Sequence, residues 1–361
     1  MPRKFIKSAD NKILLKFDDV KQVCICITPY ALLQYFLINE LDTCQQHTAY
    51  IFDESMNSSI KKKLPHIYFQ NYFQKTFFNK IYRKCIRLYT ALTRYIHYPF
   101  LKTAKIFAQD HRFFSLFIGN RPYSLLEDAP DVLSSVYRAN SAVTLTRYKK
   151  SHSISGRLEQ AIYGTPCIYT YGNNNQCSEF YLSKPIDSFV LEGKILHISS
   201  FQSMWEQSSS EKKKFILDIF DVTNEDMAIL SQKPNIFFSQ PLDSDFNINQ
   251  DEYIKMLKSI FSKYDPSQLL IKVHPRDTFD YKHHFPNIYT YNKPINLQLL
   301  MLNGFSFKKA ITICSSAVFE LPEDIEVDWF GPSILPKTVI ESGCLDAKLC
   351  PPRPYNQVCL N

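Results

Sequence analysis

The chain has 361 residues, 45% hydrophobic and 14% aromatic, with 8 glycines and 20 prolines. That is enough for roughly two domains with cores of their own, and it excludes disordered, collagenous and low-complexity architectures. The formal charge of +7 is unevenly placed: Ser55 to Gln109 holds eleven Lys or Arg and no Asp or Glu, leaving 31 basic against 35 acidic residues elsewhere.

Ten cysteines show no CxxC pair, and MPRKFIKSAD carries no leader pattern. A reducing, cytoplasmic setting with free thiols is therefore expected. No apolar run approaches the ~20 residues that span a bilayer, so no transmembrane helix is expected.

Lys21–Thr28, KQVCICIT, reads as a buried first strand. Thr28 then caps the helix ALLQYFLINEL, with Pro29 at its first position. Strand, cap and helix is how a Rossmann-like domain begins. Free N–H groups at that helix start suit an anion or a sugar hydroxyl, which makes Thr28 a candidate for substrate binding. HTAYIFD (47–53) is a second strand. In the acid-free segment after it, aromatic and aliphatic residues recur at helical spacing between the cations. Two readings stand: a basic amphipathic helix on an anionic membrane surface, or a core-facing helix with a solvated basic face. No nucleic-acid partner is expected, because no binding motif accompanies the basic stretch.

FFSLFI (113–118) reads as another strand, and LLEDAP (125–130) puts Glu127 and Asp128 at a strand end. Adjacent carboxylates there are mostly solvated turn residues. A Ser/Tyr-rich loop region runs to Gly172-Asn173-Asn174-Asn175. Ser208-x-x-Glu211 and Thr223-x-x-Asp226 resemble capping boxes. The domain boundary is placed there, near residue 230, giving 1–229 and 230–361 as the two domains.

The second half alternates. NIFFSQ (235–240), LLIKVH (269–274), IYTY (288–291), KKAITIC (308–314) and VDWFG (327–331) are strands. Residues 251–264, 295–302 and 315–321 are helices between them. This spacing means βαβ units on a parallel sheet. Two such domains facing a central cleft make a two-domain α/β enzyme.

Three stretches fall at strand carboxyl ends, where ligands bind in open α/β sheets. They are Ser239 to Asp245 (SQPLDSD), Lys272-Val273-His274-Pro275, and Cys314-Ser315-Ser316. Ser315 and Ser316 at a helix start suit a phosphate, although one serine also reads as a plain N-cap. His274 could donate a hydrogen bond or a proton to a leaving phosphate, and Asp245 or Asp243 could take one from an incoming hydroxyl. No GxGxxG or Walker fingerprint is present, which argues against NAD and P-loop chemistry.

IFFSQPLDSD, LLIKVHPRD and ITICSSAVFELP together resemble glycosyltransferase family 52, the bacterial lipooligosaccharide sialyltransferases. LLEDAP resembles the acidic D/E-D/E-G motif of bacterial sialyl- and polysialyltransferases, with Ala129 where glycine is expected. The fit runs over roughly residues 120 to 335. The resemblance implies a GT-B fold of two Rossmann-like domains, a CMP-sialic acid donor, and inversion at the anomeric carbon without metal or cofactor. It implies that His274 serves the departing phosphate of CMP and that Ser315 and Ser316 hold it. Lys272, Pro275, Gln240 and Thr28 complete the substrate-binding set. Asp245 is implied as the base, with Asp243 and then Asp128 as alternatives. The acceptor would be a galactose-terminated glycan or glycolipid of a lipooligosaccharide or capsule, and the enzyme would be peripheral on the inner face of the cytoplasmic membrane. Teichoic-acid-type polyol phosphotransferases share a KxHP-like strand end and a serine helix start, and glucosyl transfer occurs within the family. A non-catalytic anion- or membrane-binding protein is the reading from a different class.

Overall fold

The computed structural model of the protein describes residues 5–7, 14–69, 77–111, 115–129, 133, 149–186, 191–243, 248–274, 276–293, 295–336, 339, 351 and 353–359. The chain divides into two compact units, Met1–Asp221 and Val222–Asn361. Helix Asn224–Leu230, which the sequence reading leaves in the first domain, belongs to the second unit.

The first unit opens with a small antiparallel pair, β1 (Phe5–Lys7) and β2 (Leu14–Lys16). Its main sheet has seven strands: β3 (Gln22–Ile25), β4 (Thr48–Phe52), β5 (His66–Tyr68), β6 (Lys105–Ala108), β7 (Tyr123–Leu125), β8 (Cys177–Leu182) and β9 (Ile195–Ile198). They lie in the order β5-β4-β3-β6-β7-β8-β9, every pair parallel. The first strand is central, the next two go to one side and the rest to the other. That is the doubly wound order, whose switch point lies between β3 and β6. The helices are α1 (Pro29–Ile38), α2 (Leu41–Gln46), α3 (Ser58–Lys63), α4 (Phe77–His97), α5 (Ser115–Ile118), α6 (Ile154–Tyr163), α7 (Phe201–Gln207) and α8 (Ser210–Ile219). Thr28 caps α1 as expected, accepting from the Ala31 N–H at 3.3 Å.

The second unit repeats the winding. Strands β10 (Asn235–Phe238), β11 (Leu269–Lys272), β12 (Tyr289–Tyr291), β13 (Lys309–Thr312), β14 (Glu326–Trp329) and β15 (Asn356–Gln357) form one parallel sheet, β12-β11-β10-β13-β14-β15. Between them run α9 (Asn224–Leu230, ahead of β10), α10 (Gln250–Phe261), α11 (Tyr281–His284) and α12 (Leu297–Leu302). Leu269, Leu270 and Ile271 are wholly buried. Each contributes about 1.5–3 kcal/mol relative to exposure, which is why so short a strand is fixed in the centre of a sheet. Asn249 caps α10 through the N–H groups of Asp251 and Glu252, and Thr223 with Asp226 forms a complete capping box on α9.

Three local expectations are corrected. The described part of FFSLFI is the helical turn α5, not a strand. SSAVFEL forms a five-residue 3₁₀ turn, Ser316–Glu320, where an α-helix was expected; Pro322 follows immediately and forbids continuation. The cap of α8 is Ser209, with Ser208 ending α7 instead. The Ser/Tyr-rich stretch also contains α6, which no sequence signal marked.

Helix α4 is amphipathic and mounted with its apolar stripe outward. Tyr89, Leu92 and Ile96 are 60%, 64% and 69% exposed. Arg94 instead is buried, its guanidinium donating to the Leu116 carbonyl at 2.6 Å. Ile154 and Leu158 of α6 continue the exposed face at 90% and 61%. This inverts the usual placement, in which the apolar stripe packs on the core.

Candidate functional site

In the second unit β10 lies between β11 and β13, with Phe238 level with both Lys272 and Thr312. The three carboxyl ends therefore finish together. Ser239-Gln240, Val273-His274 and Cys314-Ser315 follow them, the outer two about 10 Å apart across two strand spacings. Ser239 Oγ accepts the His274 N–H at 2.9 Å and donates to Asp277 Oδ2 at 2.5 Å. Gln240 Oε1 accepts from the Cys314 N–H at 3.0 Å and from its thiol at 3.2 Å. Thr312 Oγ1 accepts the Ser315 N–H at 3.0 Å, and Ser315 Oγ accepts from Ala317 N–H at 3.3 Å. The sheet order itself thus brings the three sequence motifs to one edge, at the switch point between β10 and β13.

The His274 ring is half-buried, and its Nδ1 accepts the Arg276 N–H at 3.1 Å. In the neutral ring the proton is then on Nε2. Burial pushes the Asp277 carboxyl up, against hydrogen bonds from Ser239, Phe279 and Tyr281, and the charge of Asp243 pushes the same way. Asp243 is thereby placed within electrostatic reach of this pocket. Burial pushes the Cys314 thiol up to about 12, so it stays protonated and donates to Gln240.

Lys272 is buried, with its ammonium 3.1 Å from the Lys293 carbonyl and 5.5 Å from the centre of the Tyr291 ring. It props the end of β12 instead of joining the serines. Burial brings its pKa down to about 8, from about 10.4 in an unfolded chain. Between those values the unfolded chain binds more protons, so this residue makes stability rise as pH climbs from about 8 to 10. Lys272→Met is expected to remove that rise and to lift the thermal midpoint at pH 7 by a few degrees. Melting wild type and variant at pH 7 and 9.5 checks it; an identical pH slope in the two would refute it.

The first unit holds a second cluster at its own switch point. Gln109, just past β6, accepts from the Ile27 N–H at 2.7 Å. Its amide donates to Thr28 Oγ1 at 3.1 Å and to Asp128 Oδ1 at 2.6 Å. Thr28 Oγ1 donates to the Asp128 carbonyl at 2.8 Å. The other Asp128 oxygen, Oδ2, lies 3.6 Å from His111 Nε2. His111 stacks on Tyr171 with rings 5.0 Å apart and 4° from parallel. Tyr171 is held at φ +57°, in the left-handed region that costs a bulky residue energy. That conformation turns the Tyr171 and Gly172 N–H groups onto the buried Asp110 carboxylate at 2.6 and 2.8 Å. Glu127, the neighbour of Asp128, is consumed structurally by Gln34 and the Ser183 N–H.

Of the residues singled out in the sequence, Gln240, His274 and Ser315 stand at the neighbouring strand ends of the second unit, and the charge of Asp243 acts on Asp277 there. Thr28 and Asp128 come together in the first, where Thr28 serves as cap and as tether of Asp128. Asp245 and Pro275 lie outside the described residues, as does the side chain of Ser316. Ser239, Asp277, Gln109 and His111 were not assigned from sequence. The signal was present for the last two: Gln109-Asp110-His111 is a polar triplet closing the apolar strand KIFA. Among the described residues no group of three or more His, Cys, Asp or Glu could hold a metal ion. Among them, too, no helix is long and apolar enough to cross a membrane.

Residues 159–329 match the model of glycosyltransferase family 52, which bears out the resemblance read in the sequence. An uncharacterized protein of Haemophilus influenzae is 26% identical over 318 residues, covering 87% of this chain and 96% of its own. Among solved structures, the 2,6-sialyltransferase of Photobacterium sp. JT-ISH-224, in complex with CMP and lactose, superposes with a TM-score of 0.55 at 12% identity. That likeness covers 89% of this chain and 74% of that one. A sialyltransferase from Photobacterium damsela gives 0.51 at 12% identity, covering 93% and 81%. The α/β fold of GT-B type, two Rossmann-like units each with a parallel sheet, is borne out. The family match supports a glycosyltransferase.

Proposed function

We propose that this protein is an inverting, metal-independent sialyltransferase, moving sialic acid from CMP-sialic acid to a terminal galactose of a bacterial surface glycan or glycolipid. The observation that carries the reading is the strand-end cluster of Ser239, His274 and Ser315 in a segment matched to glycosyltransferase family 52. Sialyl transfer passes through an oxocarbenium-like centre, which needs little covalent help. It does need a leaving phosphate neutralised and a hydroxyl deprotonated.

Each cluster supplies one of these. His274 gives its Nε2 proton to the departing CMP phosphate, and the hydroxyls and N–H groups around Ser315 receive the phosphate oxygens. Asp128 takes the acceptor's hydroxyl proton; its Oδ1 is fixed by Gln109, and His111 beside Oδ2 shares the charge change. Asp245 and Asp243 are the alternative bases. Incubation with CMP-sialic acid, UDP-glucose or CDP-glycerol, each with lactose as acceptor, tests the reading. Sialyl-lactose and CMP are expected from the first donor alone. Nucleotide release only from CDP-glycerol would turn the assignment to a polyol phosphotransferase, and release from none would leave a non-catalytic protein.

The outward stripe of α4 and the acid-free segment around it support peripheral attachment to an anionic membrane. Each cation near such a surface adds about 1 kcal/mol at most, and the exposed Leu92 and Ile96 add apolar burial. The protein is expected to co-sediment with phosphatidylglycerol-containing vesicles at 50 mM salt and to be mostly released at 500 mM. Leu92→Glu combined with Ile96→Glu should abolish sedimentation at both. Equal binding to neutral vesicles would refute the electrostatic part.

A further inference from the structure

The first unit contains a groove of about 830 Å³ between α4 and α6. Its walls include Leu88, Leu116, Leu158 and Ile162, and the lining also contains His111, the partner of Asp128. Next to Tyr171, on which His111 stacks, the Thr170 side chain also lines the groove. Thr170 is 9% exposed, and its hydroxyl is buried without a hydrogen-bond partner. A buried hydroxyl left unpaired is costly, and a ligand's polar group would relieve it. Leu88 and Leu158, also in the lining, are 39% and 61% exposed and belong to the outward apolar surface of α4 and α6. The lining thus combines an unpaired buried hydroxyl with partly exposed apolar side chains. Lys84, Arg87 and Lys150 line it against a single acid, Glu159, which is paired with Lys150 at 2.8 Å.

We propose that this groove binds the apolar aglycone of the acceptor, with the acceptor's polar end at Thr170 and His111 and its hydrocarbon along Leu116, Ile162, Leu88 and Leu158. An amphiphile of that kind matches a lining that holds both an unpaired hydroxyl and exposed leucines. The excess of cations suits an anchor that carries negative charge. Burial pushes the Cys167 thiol, also in the lining, up to about 12, so it adds an uncharged wall. The proposal rests on the galactoside-acceptor reading above, and its test reads binding instead of turnover so that the two fail separately.

The probes are methyl β-lactoside, octyl β-lactoside and octyl β-glucoside, titrated calorimetrically below their micellar concentrations into the full-length protein. Each buried methylene is worth roughly a factor of four in affinity, so partial cover of the chain should make octyl β-lactoside on the order of 10²-fold tighter than methyl β-lactoside. Leu158→Glu, at an exposed position, should bring that ratio close to one, while Leu158→Met should preserve it; thermal midpoints verify folding of both. A wild-type ratio near one, or a ratio unchanged in Leu158→Glu, overturns the proposal. So does a change in oligomeric state of Leu158→Glu without a change in the ratio, which would make the face a contact between two copies. Equal affinity for octyl β-lactoside and octyl β-glucoside, lost in Leu158→Glu, supports the groove and overturns the galactoside reading instead.

Discussion

His274→Ala is expected to lower turnover by on the order of 10²–10⁴ while changing CMP affinity by no more than a few-fold. The substitution is clean for a structural reason. The bonds that hold this strand end are main-chain ones: the His274 N–H to Ser239 Oγ at 2.9 Å and the Asp277 N–H to the His274 carbonyl at 2.9 Å. Alanine keeps both and removes the ring, whose contact to the Arg276 N–H is among those lost. A loss confined to turnover identifies a proton donor to the leaving group. A matching loss of CMP affinity would make the ring a ground-state phosphate ligand instead. Steady-state kinetics beside equilibrium dialysis with CMP separates these outcomes.

The second large effect concerns the base. Asp128→Asn should cut transfer at least 10²-fold with CMP binding intact, because the amide keeps shape but cannot accept a proton. The carbonyl of that asparagine can still receive the Gln109 amide, so the network around Thr28 should survive. Asp243→Asn should be milder, since its charge acts on Asp277 in the strand-end cluster of the second unit. Near-wild-type transfer in Asp128→Asn together with a dead Asp245→Asn would move the role to Asp245.

Strands β10 to β14 of the second sheet are legible in the sequence because each is a short apolar run closed by a polar or turn-forming residue, with capped helices between. Strand β15, the exposed polar pair Asn356-Gln357, carries no such signal and was not expected. Asn249 before α10 and Thr223 before α9 mark their helices chemically, and the structure uses both caps. FFSLFI carries no such mark: five apolar residues around a single serine show neither the alternation of a half-buried strand nor a helical stripe, so their period decides nothing. Helix α6 escapes notice for the opposite reason. Its apolar residues Ile154 and Leu158 face outward, so no core-facing pattern exists to be read. The strand-end motifs of the second unit are visible because a parallel sheet forces its carboxyl ends together. The links that tie them, from Ser239 to Asp277 and from Gln240 to Cys314, join residues 38 and 74 positions apart. Sequence spacing alone carries no trace of such pairings.

The unbroken course of each unit along the chain bears on how the protein is made. All seven strands of the first sheet are complete by Ile198, before any strand of the second has left the ribosome. Parallel sheets with long crossovers fold slowly, because loop closure comes before the contacts that reward it. Synthesis at ≈ 5–20 residues per second gives the first unit several seconds without competition from the second. Its central strand β3 is shielded on both edges only once β6 arrives, more than eighty residues after β3 begins. Until then QVCI and the five buried residues of TAYIF are open edges, and slower translation or lower temperature during synthesis should raise the yield of folded chain.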